Sequence, residues 1–312
     1  MATVADERKL AFWRRLWIYQ AERFPILKTG LLIAAFSAAS INVSAFLAER
    51  TLPGTLTYVA TWFLVLSIFF QMRAADEWKD LATDRQYRPE RAIPRGLISL
   101  QMVIWLAVAL VPVAALVAAT LTTDLVWLLA LVWLWLGLMT VEFFAPAWLK
   151  ARPIIYLMSH MMIMPLIDLL ATGAEWLKAG ATPPDGLWLF LVLSFVNGCV
   201  IEVGRKLFAL ENERRGVDTY SALWGPARAV AVWSGLLIVS FLLLVALSWK
   251  LQTALAVALL AGAVLLACLV VAWRYAQSPT PRHQSLADAA AGAWVLISYA
   301  AVGFLPLLTG GI

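Results

Sequence analysis

Long apolar runs follow one another along almost the whole of this 312-residue sequence. Hydrophobic side chains make up 62% of the residues and charged ones only 14%, with a mean hydropathy of +0.82. Charged residues supply about 25% of an ordinary soluble domain. Each run is close to the ~20 residues that a helix needs to cross the hydrocarbon of a bilayer. The sequence therefore predicts an all-α integral membrane protein with one membrane-embedded domain over 1–312.

The number and spacing of the runs predict a bundle of about nine transmembrane helices. We place these helices at 28–48, 55–73, 97–119, 124–142, 153–173, 186–207, 227–248, 252–273 and 288–309. Two connections are long and charged, 74–96 after the second helix and 203–226 after the sixth. Their similar positions, four helices apart, suggest a duplicated bundle with a site between its halves.

The basic residues predict how the bundle is oriented. If the N-terminus is cytoplasmic, 21 of the 24 lysine and arginine side chains fall in inside segments, as the positive-inside rule expects. We therefore predict a protein of the bacterial inner membrane with its N-terminus inside, its C-terminus outside and both charged connections cytoplasmic. The net charge of +5 does not indicate nucleic acid as a partner, because the cations follow membrane sidedness.

The segment 1–27 precedes the first apolar run and is predicted to be cytoplasmic or interfacial. Within 8–18, Leu10, Trp13 and Trp17 share one helical face and arginines occupy another. A basic helix of this kind can lie among lipid headgroups. The alternative is that it forms the wet end of the first transmembrane helix. No secretory signal peptide is evident in this segment.

A cluster of acidic residues follows the second predicted helix. Asp76, Asp80 and Asp84 recur every four residues and share one helical face, and Glu77 lies beside them. Like charges at such spacings repel by roughly 0.2–0.5 kcal/mol per pair. Asp80 has no basic residue three or four positions away to relieve this repulsion. Carboxylate oxygens suit Mg²⁺, so we predict these four residues as metal ligands.

This cluster and the residues after it resemble a known family signature. The residues in question read Asp76-Glu77-x-x-Asp80-x-x-x-Asp84, followed by Arg91-x-x-Pro94-x-Gly96. This pattern resembles the first signature of the UbiA superfamily of intramembrane prenyltransferases, Asn-Asp-x-x-Asp-x-x-x-Asp followed by Arg-Pro-x-Pro-Ser-Gly. Asp76 stands in place of the asparagine and Glu77 in place of the first aspartate, whereas Ala92 and Arg95 depart from the second half.

The resemblance implies a fold, a cofactor and a substrate. The fold is an all-helical bundle with a lateral opening to lipid. The cofactor is Mg²⁺ held by both acidic connections, and the donor is an isoprenyl diphosphate. The nine-helix plan and the positions of both charged connections also agree with the family, so the resemblance covers nearly the whole chain.

The second charged connection resembles the family less closely. Its tail, 215–219, is similar to the run that follows the family's second acidic motif, and Glu202 stands near the opening acid. Lys206 lies where another acid is expected. Glu202 also has Arg205 and Lys206 three and four residues later, which is an ordinary helical ion pair. We predict Glu202 as a further metal ligand. We interpret Arg205 and Lys206 as binding phosphate oxygens in place of part of a second metal ion.

Basic side chains near the two connections are candidates for binding a diphosphate, because arginine can bind phosphate oxygens bidentately. These candidates are Arg91, Lys150, Arg152, Arg205 and Lys206. For Lys150 and Arg152 the positive-inside bias alone is a sufficient explanation. Three further ionisable residues, Glu142, His160 and Asp168, lie within or at the ends of predicted helices. Such residues are often functional, although structural pairing is the alternative.

The sequence thus predicts a Mg²⁺-dependent membrane prenyltransferase. Its catalytic residues would be Asp80, Asp84, Arg91 and Glu202. Its partners would be an isoprenyl diphosphate, a lipophilic or aromatic acceptor, and membrane lipid. One alternative is a membrane terpene cyclase that ionises the same donor without an acceptor. Another is a transporter whose pathway is lined by Asn42, His160 and Asp168.

Overall fold

The computed structural model describes residues 10–214 and 216–308, and every regular element in these ranges is a helix. We number the α-helices in chain order as α1 Phe12–Arg23, α2 Ile26–Leu47, α3 Thr55–Lys79, α4 Leu81–Tyr87, α5 Leu100–Leu121, α6 Leu125–Thr140, α7 Pro146–Lys150, α8 Pro153–Met161, α9 Ile163–Trp176, α10 Leu187–Gly204, α11 Tyr220–Trp224, α12 Pro226–Lys250, α13 Ala254–Gln277 and α14 Pro281–Leu308. Short 3₁₀ turns lie at Glu142–Phe144 and Leu210–Asn212.

The predicted membrane class is confirmed, with one span shorter than expected. Eight helical stretches of the described chain are long and apolar enough to cross a membrane, counting α8 and α9 as one. The predicted fourth span is α6, whose 16 residues make it shorter than the others. The predicted fifth span is interrupted at Met162, where α8 ends and α9 begins. Residues 1–9 and 309–312 of the predicted terminal segments lie outside the described residues.

Local signals explain where several helices begin. Four of them, α7, α8, α12 and α14, start at a proline. Proline suits the first helical position because its fixed φ is already helical and its missing N–H has no partner there. The hydroxyl of Ser99 caps α5 by accepting a hydrogen bond from the Met102 amide. Thr219 caps α11 in the same way.

The long helices pack in chain order around a closed ring. The helices α2, α3, α5, α6, α9, α10, α12, α13 and α14 each contact the next, and α14 returns to α2. Two apolar clusters fill the interior, one centred on α3, α5, α6 and α9 and the other on α10, α12, α13 and α14. The two charged connections follow α3 and α10, so each half of the ring supplies one of them.

Buried polar contacts fix α2 against its neighbours. The Asp168 carboxylate accepts hydrogen bonds from the hydroxyls of Ser40 and Tyr299, at 2.6 and 2.5 Å. The side chain of Asn42 donates to the carbonyl of Gly303 and accepts from the Tyr58 hydroxyl. Interhelical hydrogen bonds of this kind stabilise membrane bundles, where lipid offers no alternative partner. Two of the three polar residues considered for a transport pathway therefore serve helix packing.

The segment before the first membrane helix is a helix of its own. α1 ends at Arg23, and α2 begins at Ile26 after Pro25. Trp13 and Trp17 are 75% and 64% exposed, whereas Tyr19 is buried. α1 is therefore a separate helix and not the solvent-exposed end of α2. Its position among lipid headgroups stays a prediction.

The contact between α14 and α2 generates a test of the fold. A Cβ atom at Gly303 would come within 2.5 Å of the Ala39 backbone. Gly303→Leu should therefore push the helices apart and lower stability by about 1–3 kcal/mol, the usual effect of overpacking. Gly292→Leu is the matched control, because nothing in the described chain lies within 4 Å of a Cβ there. Thermal unfolding can be followed by tryptophan fluorescence in detergent, and equal midpoints for the two variants would contradict this packing.

Candidate functional site

The acidic residues after α3 do not share one unbroken helical face. α3 ends at Lys79, Asp80 forms the junction, and α4 begins at Leu81. Helical hydrogen bonding nevertheless crosses the junction, because the Asp80 amide donates to the Asp76 carbonyl and the Asp84 amide to the Asp80 carbonyl. The three aspartates therefore remain on successive turns, but their side chains have different surroundings.

Asp84 forms ion pairs with two arginines that follow it in the sequence. Its carboxylate lies 2.6 Å from Nη1 of Arg91 and 3.5 Å from Nη1 of Arg88, and its side chain is 3% exposed. The predicted ligand Asp84 and the predicted diphosphate residue Arg91 thus bind each other in this structure. Burial and the charge of Arg91 lower the pKa of Arg88. This concentration of positive charge beside Asp84 would suit a diphosphate.

Glu77 forms an ion pair with an arginine of α1. Its Oε1 lies 2.5 Å from Nε of Arg23, and its side chain is 2% exposed. On the same side, Arg95 of the first connection binds Glu22 of α1 at 2.7 Å. The role of Glu77 as a metal ligand stays a prediction, since here the side chain anchors α1 to the end of α3.

Glu202 pairs with the two cations that follow it on the chain. Its carboxylate contacts Arg205 and lies 2.9 Å from Nζ of Lys206. The local ion pair expected from the sequence spacing is therefore present. The charges of Glu202 and Arg205 also act on Asp76, so the charged groups at the end of α10 lie within electrostatic reach of the end of α3.

Two of the predicted metal ligands have no close partner. Asp80 makes no ion pair or side-chain hydrogen bond with any residue in 10–214 or 216–308. Asp76 has only Arg73 at 3.7 Å, and its side chain is 58% exposed. Burial and the charges of Asp76 and Asp84 raise the pKa of Asp80. The sequence expectation that Asp80 lacks a local cation partner agrees with this geometry.

These two carboxylates fit the requirements of Mg²⁺. The ion commonly takes one or two protein carboxylates and completes its shell with water and substrate phosphates. Within the described residues, no group of three acidic, histidine or cysteine side chains is assembled as a ready-made metal cluster.

The two charged connections meet across the end of the bundle. Arg214 binds Glu90 at 2.8 Å, and Gly216 lies so close to the ring of Tyr87 that a Cβ atom there would approach it to 2.4 Å. We call the end formed by 74–96, 203–214 and 216–219 the charged end. Lys150 reaches it through Asp218 at 3.4 Å, with both side chains largely exposed.

Arg152 is not brought to the other site residues. Its guanidinium lies over the ring of Trp148, 4.5 Å from the centroid, and donates to the Trp148 carbonyl. Of the five basic side chains predicted to bind diphosphate, the structure thus gathers Arg91, Arg205 and Lys206 near the acids. It places Lys150 at the rim and Arg152 on its own helix turn.

The structure adds Lys79 and Tyr156, for which the sequence carried no prediction, to Glu142 and His160, for which it did. Nζ of Lys79 lies 2.7 Å from Glu142 and donates to the Tyr156 hydroxyl at 2.6 Å. The Tyr156 ring stacks on His160, with the centroids 3.9 Å apart. The one signal in the sequence was that Lys79 is the single cation within the acidic run 76–84. Its partners lie about 60 and 80 residues away, beyond the reach of spacing arguments.

Comparisons with known proteins agree with this arrangement. The model of the UbiA prenyltransferase family matches residues 31–289. A structure from work on digeranylgeranylglyceryl phosphate synthase has 14% identity and a TM-score of 0.56, covering 93% of this chain and 99% of that one. Two structures of a UbiA homologue from Archaeoglobus fulgidus, bound to GPP and Mg²⁺ or to DMAPP and Mg²⁺, have 12% identity and TM-scores of 0.53 and 0.54. Each match covers 89% of this chain and 98% of the homologue's chain. A search of curated proteins gave no match.

The ion pair between α1 and α3 generates a prediction on stability. Arg23→Met leaves the buried Glu77 carboxylate without its partner, so it should lower stability by roughly 3–5 kcal/mol. Adding Glu77→Gln removes the stranded charge and should recover most of this loss. Unfolding midpoints of the two variants and the wild type in detergent give the comparison. If the double variant is no more stable than Arg23→Met, the pair does not anchor α1.

Proposed function

Because the chain belongs to the UbiA prenyltransferase family, we propose that it transfers a polyprenyl group from an isoprenyl diphosphate to a lipophilic or aromatic acceptor within the membrane. The reaction requires Mg²⁺. Two structures of the Archaeoglobus fulgidus homologue, which contain GPP or DMAPP together with Mg²⁺, support this choice of donor and cofactor.

The observation that carries the proposal is the state of the acidic residues. Glu77, Asp84 and Glu202 are each paired closely with arginine or lysine, whereas Asp80 has no partner among the described residues and the exposed Asp76 has only Arg73, at 3.7 Å. A fold that pairs three acids closely and leaves Asp80 unpaired and Asp76 only weakly paired keeps these two available for a cation. We propose Asp76 and Asp80 as the residues that hold Mg²⁺.

The paired acids act differently, by keeping cations in position. Asp84 holds Arg88 and Arg91, and Glu202 holds Arg205 and Lys206. When a diphosphate enters, these cations can exchange a carboxylate oxygen for a phosphate oxygen. Arginine does this bidentately and lysine as a point charge. The second connection thereby supplies protein cations where the family's pattern places a further acid.

The chemistry needs charge stabilisation more than proton transfer at the donor. Bound Mg²⁺ neutralises negative charge as it accumulates on the departing diphosphate. Arg88 and Arg91, held by Asp84, and Arg205 and Lys206, held by Glu202, would stabilise the same charge. Breaking the carbon–oxygen bond to the diphosphate leaves an allylic cation, an electron-rich acceptor forms a bond to that cation, and the proton that the acceptor loses passes to the diphosphate or to water.

Two other functions make different use of this structure. A terpene cyclase would ionise the same donor at the same residues and capture the cation within its own chain, so it differs in needing no acceptor. A transporter would need a polar pathway at mid-membrane. Asn42 and Asp168 are instead engaged in hydrogen bonds between helices, which favours the enzyme.

We propose the orientation in which the charged end faces the cytoplasm, with the N-terminus inside and the C-terminus outside a bacterial inner membrane. The cations at the charged end agree with the positive-inside rule. The opposite end carries fewer basic residues, and two of them form ion pairs, Arg50 with Glu175 at 2.7 Å and Lys250 with Asp185 at 3.0 Å. A cytoplasmic charged end would also meet the water-soluble Mg²⁺ that the reaction needs.

Asp80→Asn is the central test of the proposed site. Removing one unpaired carboxylate should cut Mg²⁺-dependent diphosphate release to less than about a tenth of wild type, a loss above ~1.4 kcal/mol of barrier stabilisation. The fold should persist, because the lost carboxylate belongs to a self-repelling cluster. The assay uses purified protein with farnesyl, geranylgeranyl and longer diphosphates, with and without aromatic acceptors.

Asp288→Asn is the matched control, because Asp288 is exposed on α14 and lies outside the charged end. It should behave as wild type. Turnover of Asp80→Asn above a tenth of wild type would show that Asp80 is not a principal ligand. Release that proceeds fully without any acceptor would instead favour the cyclase.

A further inference from the structure

A small cavity lies beside Asp76, between α3, α6 and α8. It has a volume of about 30 Å³ and is lined by Met72, Ala75, Asp76, Lys79, Leu136, Met139, Thr140 and His160. A space of this size holds one or two small polar groups but no aromatic ring, since a single water needs roughly 10–15 Å³. Its walls are mainly apolar, and its polar groups lie next to the carboxylate that we assign to the metal.

One nitrogen of His160 is left for a ligand. Nδ1 lies 3.0 Å from the carbonyl oxygen of Tyr156, which can only accept, and 3.2 Å from the Ser159 hydroxyl, which itself donates to the same carbonyl. We assign the ring proton to Nδ1, because this lets both groups donate to the Tyr156 carbonyl. Nε2 of the neutral ring then holds a lone pair and acts as an acceptor. The residue is 8% exposed, and among the described residues Nε2 has no hydrogen-bond partner. Buried polar atoms seldom remain without one.

The imidazole is held firmly in this orientation. Tyr156 stacks on one face at 3.9 Å with an interplanar angle of 11°, and Phe143 contacts the ring edgewise at 6.1 Å. Phe143 lies in a turn whose three residues, Glu142–Phe144, all have positive φ. Such a conformation is strained for residues other than glycine and persists only where surrounding contacts impose it. Here Lys79 binds both Glu142 and Tyr156 and ties the turn to α3.

A larger groove adjoins the cavity on the outer side. It measures about 530 Å³ and is lined by Trp78, Lys79, Thr140, Val141, Glu142 and Pro146. Lys79 and Thr140 line both spaces and therefore stand between them. The groove has the volume of an ordinary small-molecule site. Trp78 and Val141 are exposed, so the groove is open at the molecular surface and offers apolar contacts to a ligand.

We propose that this cavity and groove form the acceptor site, and that a hydroxyl group of the acceptor donates a hydrogen bond to Nε2 of His160. The proposal rests on the proposed function, since it names the second substrate's binding residues. The acceptor class is a weakly acidic hydroxyl, phenolic or alcoholic, on an apolar body. The hydroxyl lies in the cavity and the body in the groove.

The chemistry of the cavity selects this class over others. A carboxylate or phosphate carries only acceptor atoms and would face the lone pair of Nε2, and Lys79, the one cation in the lining, is already bound to Glu142 and Tyr156. An ether or a ketone likewise has no donor. A hydroxyl supplies the missing donor, fits the small volume, and lies next to Asp76, where the donor's reactive carbon is expected.

Nitrogen NMR tests the proposal without depending on turnover. The chain has two histidines, His160 and His283. With ¹⁵N-labelled histidine and full-length protein in detergent, His283→Gln removes one set of signals and assigns the other. Phenol and anisole are the matched probes, because anisole has nearly the same body and lacks the O–H. Phenol should move the Nε2 signal of His160 upfield in a saturable manner, and anisole should not.

His283 is the internal control. Its Nδ1 also lies close to a carbonyl, that of Ser278, at 2.6 Å, but it lies at the start of α14 outside the cavity. Its signal should not respond to either probe. An equal response of His160 to both probes, no response to phenol, or a proton found on Nε2 in the free protein would each overturn the proposal.

Turnover separates this proposal from the proposed function. With a phenolic acceptor, His160→Leu should raise the acceptor KM at least tenfold and leave the donor KM unchanged. His160→Gln, which keeps an acceptor atom near the same place, should stay within about threefold of wild type. If wild type releases no diphosphate while the His160 signal responds to phenol, the proposed function fails and the site stands. If turnover is normal and the His160 signal does not respond to phenol, the acceptor site fails and the proposed function stands.

Discussion

The charge balance at the end of α3 is the constraint on which the rest of the site depends. Four carboxylates occur within nine residues where a membrane helix emerges, and they cannot all remain unpaired, since like charges repel and partial burial adds to the effect. The fold brings arginines close to Glu77 and Asp84, leaves Asp80 without a partner among the described residues, and gives Asp76 only Arg73 at 3.7 Å. This division makes two neighbouring acids available and gives the others a positional role.

The acids at this end are paired with cations from α1 and from both charged connections, so these three segments must come together at the charged end. Arg23 comes from α1, Arg88 and Arg91 follow α4, and Arg205 and Lys206 follow α10. Each of these cations is held by an acid. Because α3 and α10 belong to opposite halves of the ring, their ends meet only when the ring closes. Buried contacts such as Ser40 with Asp168 join α2 to α9 and so help to fix that closure.

Sequence patterns predicted the bundle well and the site in part. Hydropathy located the eight membrane-length stretches because each must match the thickness of the bilayer, and it also located the shorter α6. The local pairing of Glu202 with Lys206 follows from helical spacing. Spacing could not show that Glu77 would pair with Arg23, 54 residues earlier, or Lys79 with Tyr156, 77 residues later. These contacts depend on how the ring closes. Nor does helical periodicity indicate the interruption at Asp80 or the left-handed turn at 142–144.

The central claim is that Asp76 and Asp80 hold the metal next to the diphosphate. Electron paramagnetic resonance of Mn²⁺, used in place of Mg²⁺ with an unreactive thio analogue of a prenyl diphosphate, tests it directly. The account predicts phosphorus hyperfine coupling in wild type and at least tenfold weaker Mn²⁺ binding in both Asp76→Asn and Asp80→Asn. Mn²⁺ that binds both variants as tightly as wild type, with the same phosphorus coupling, would contradict it.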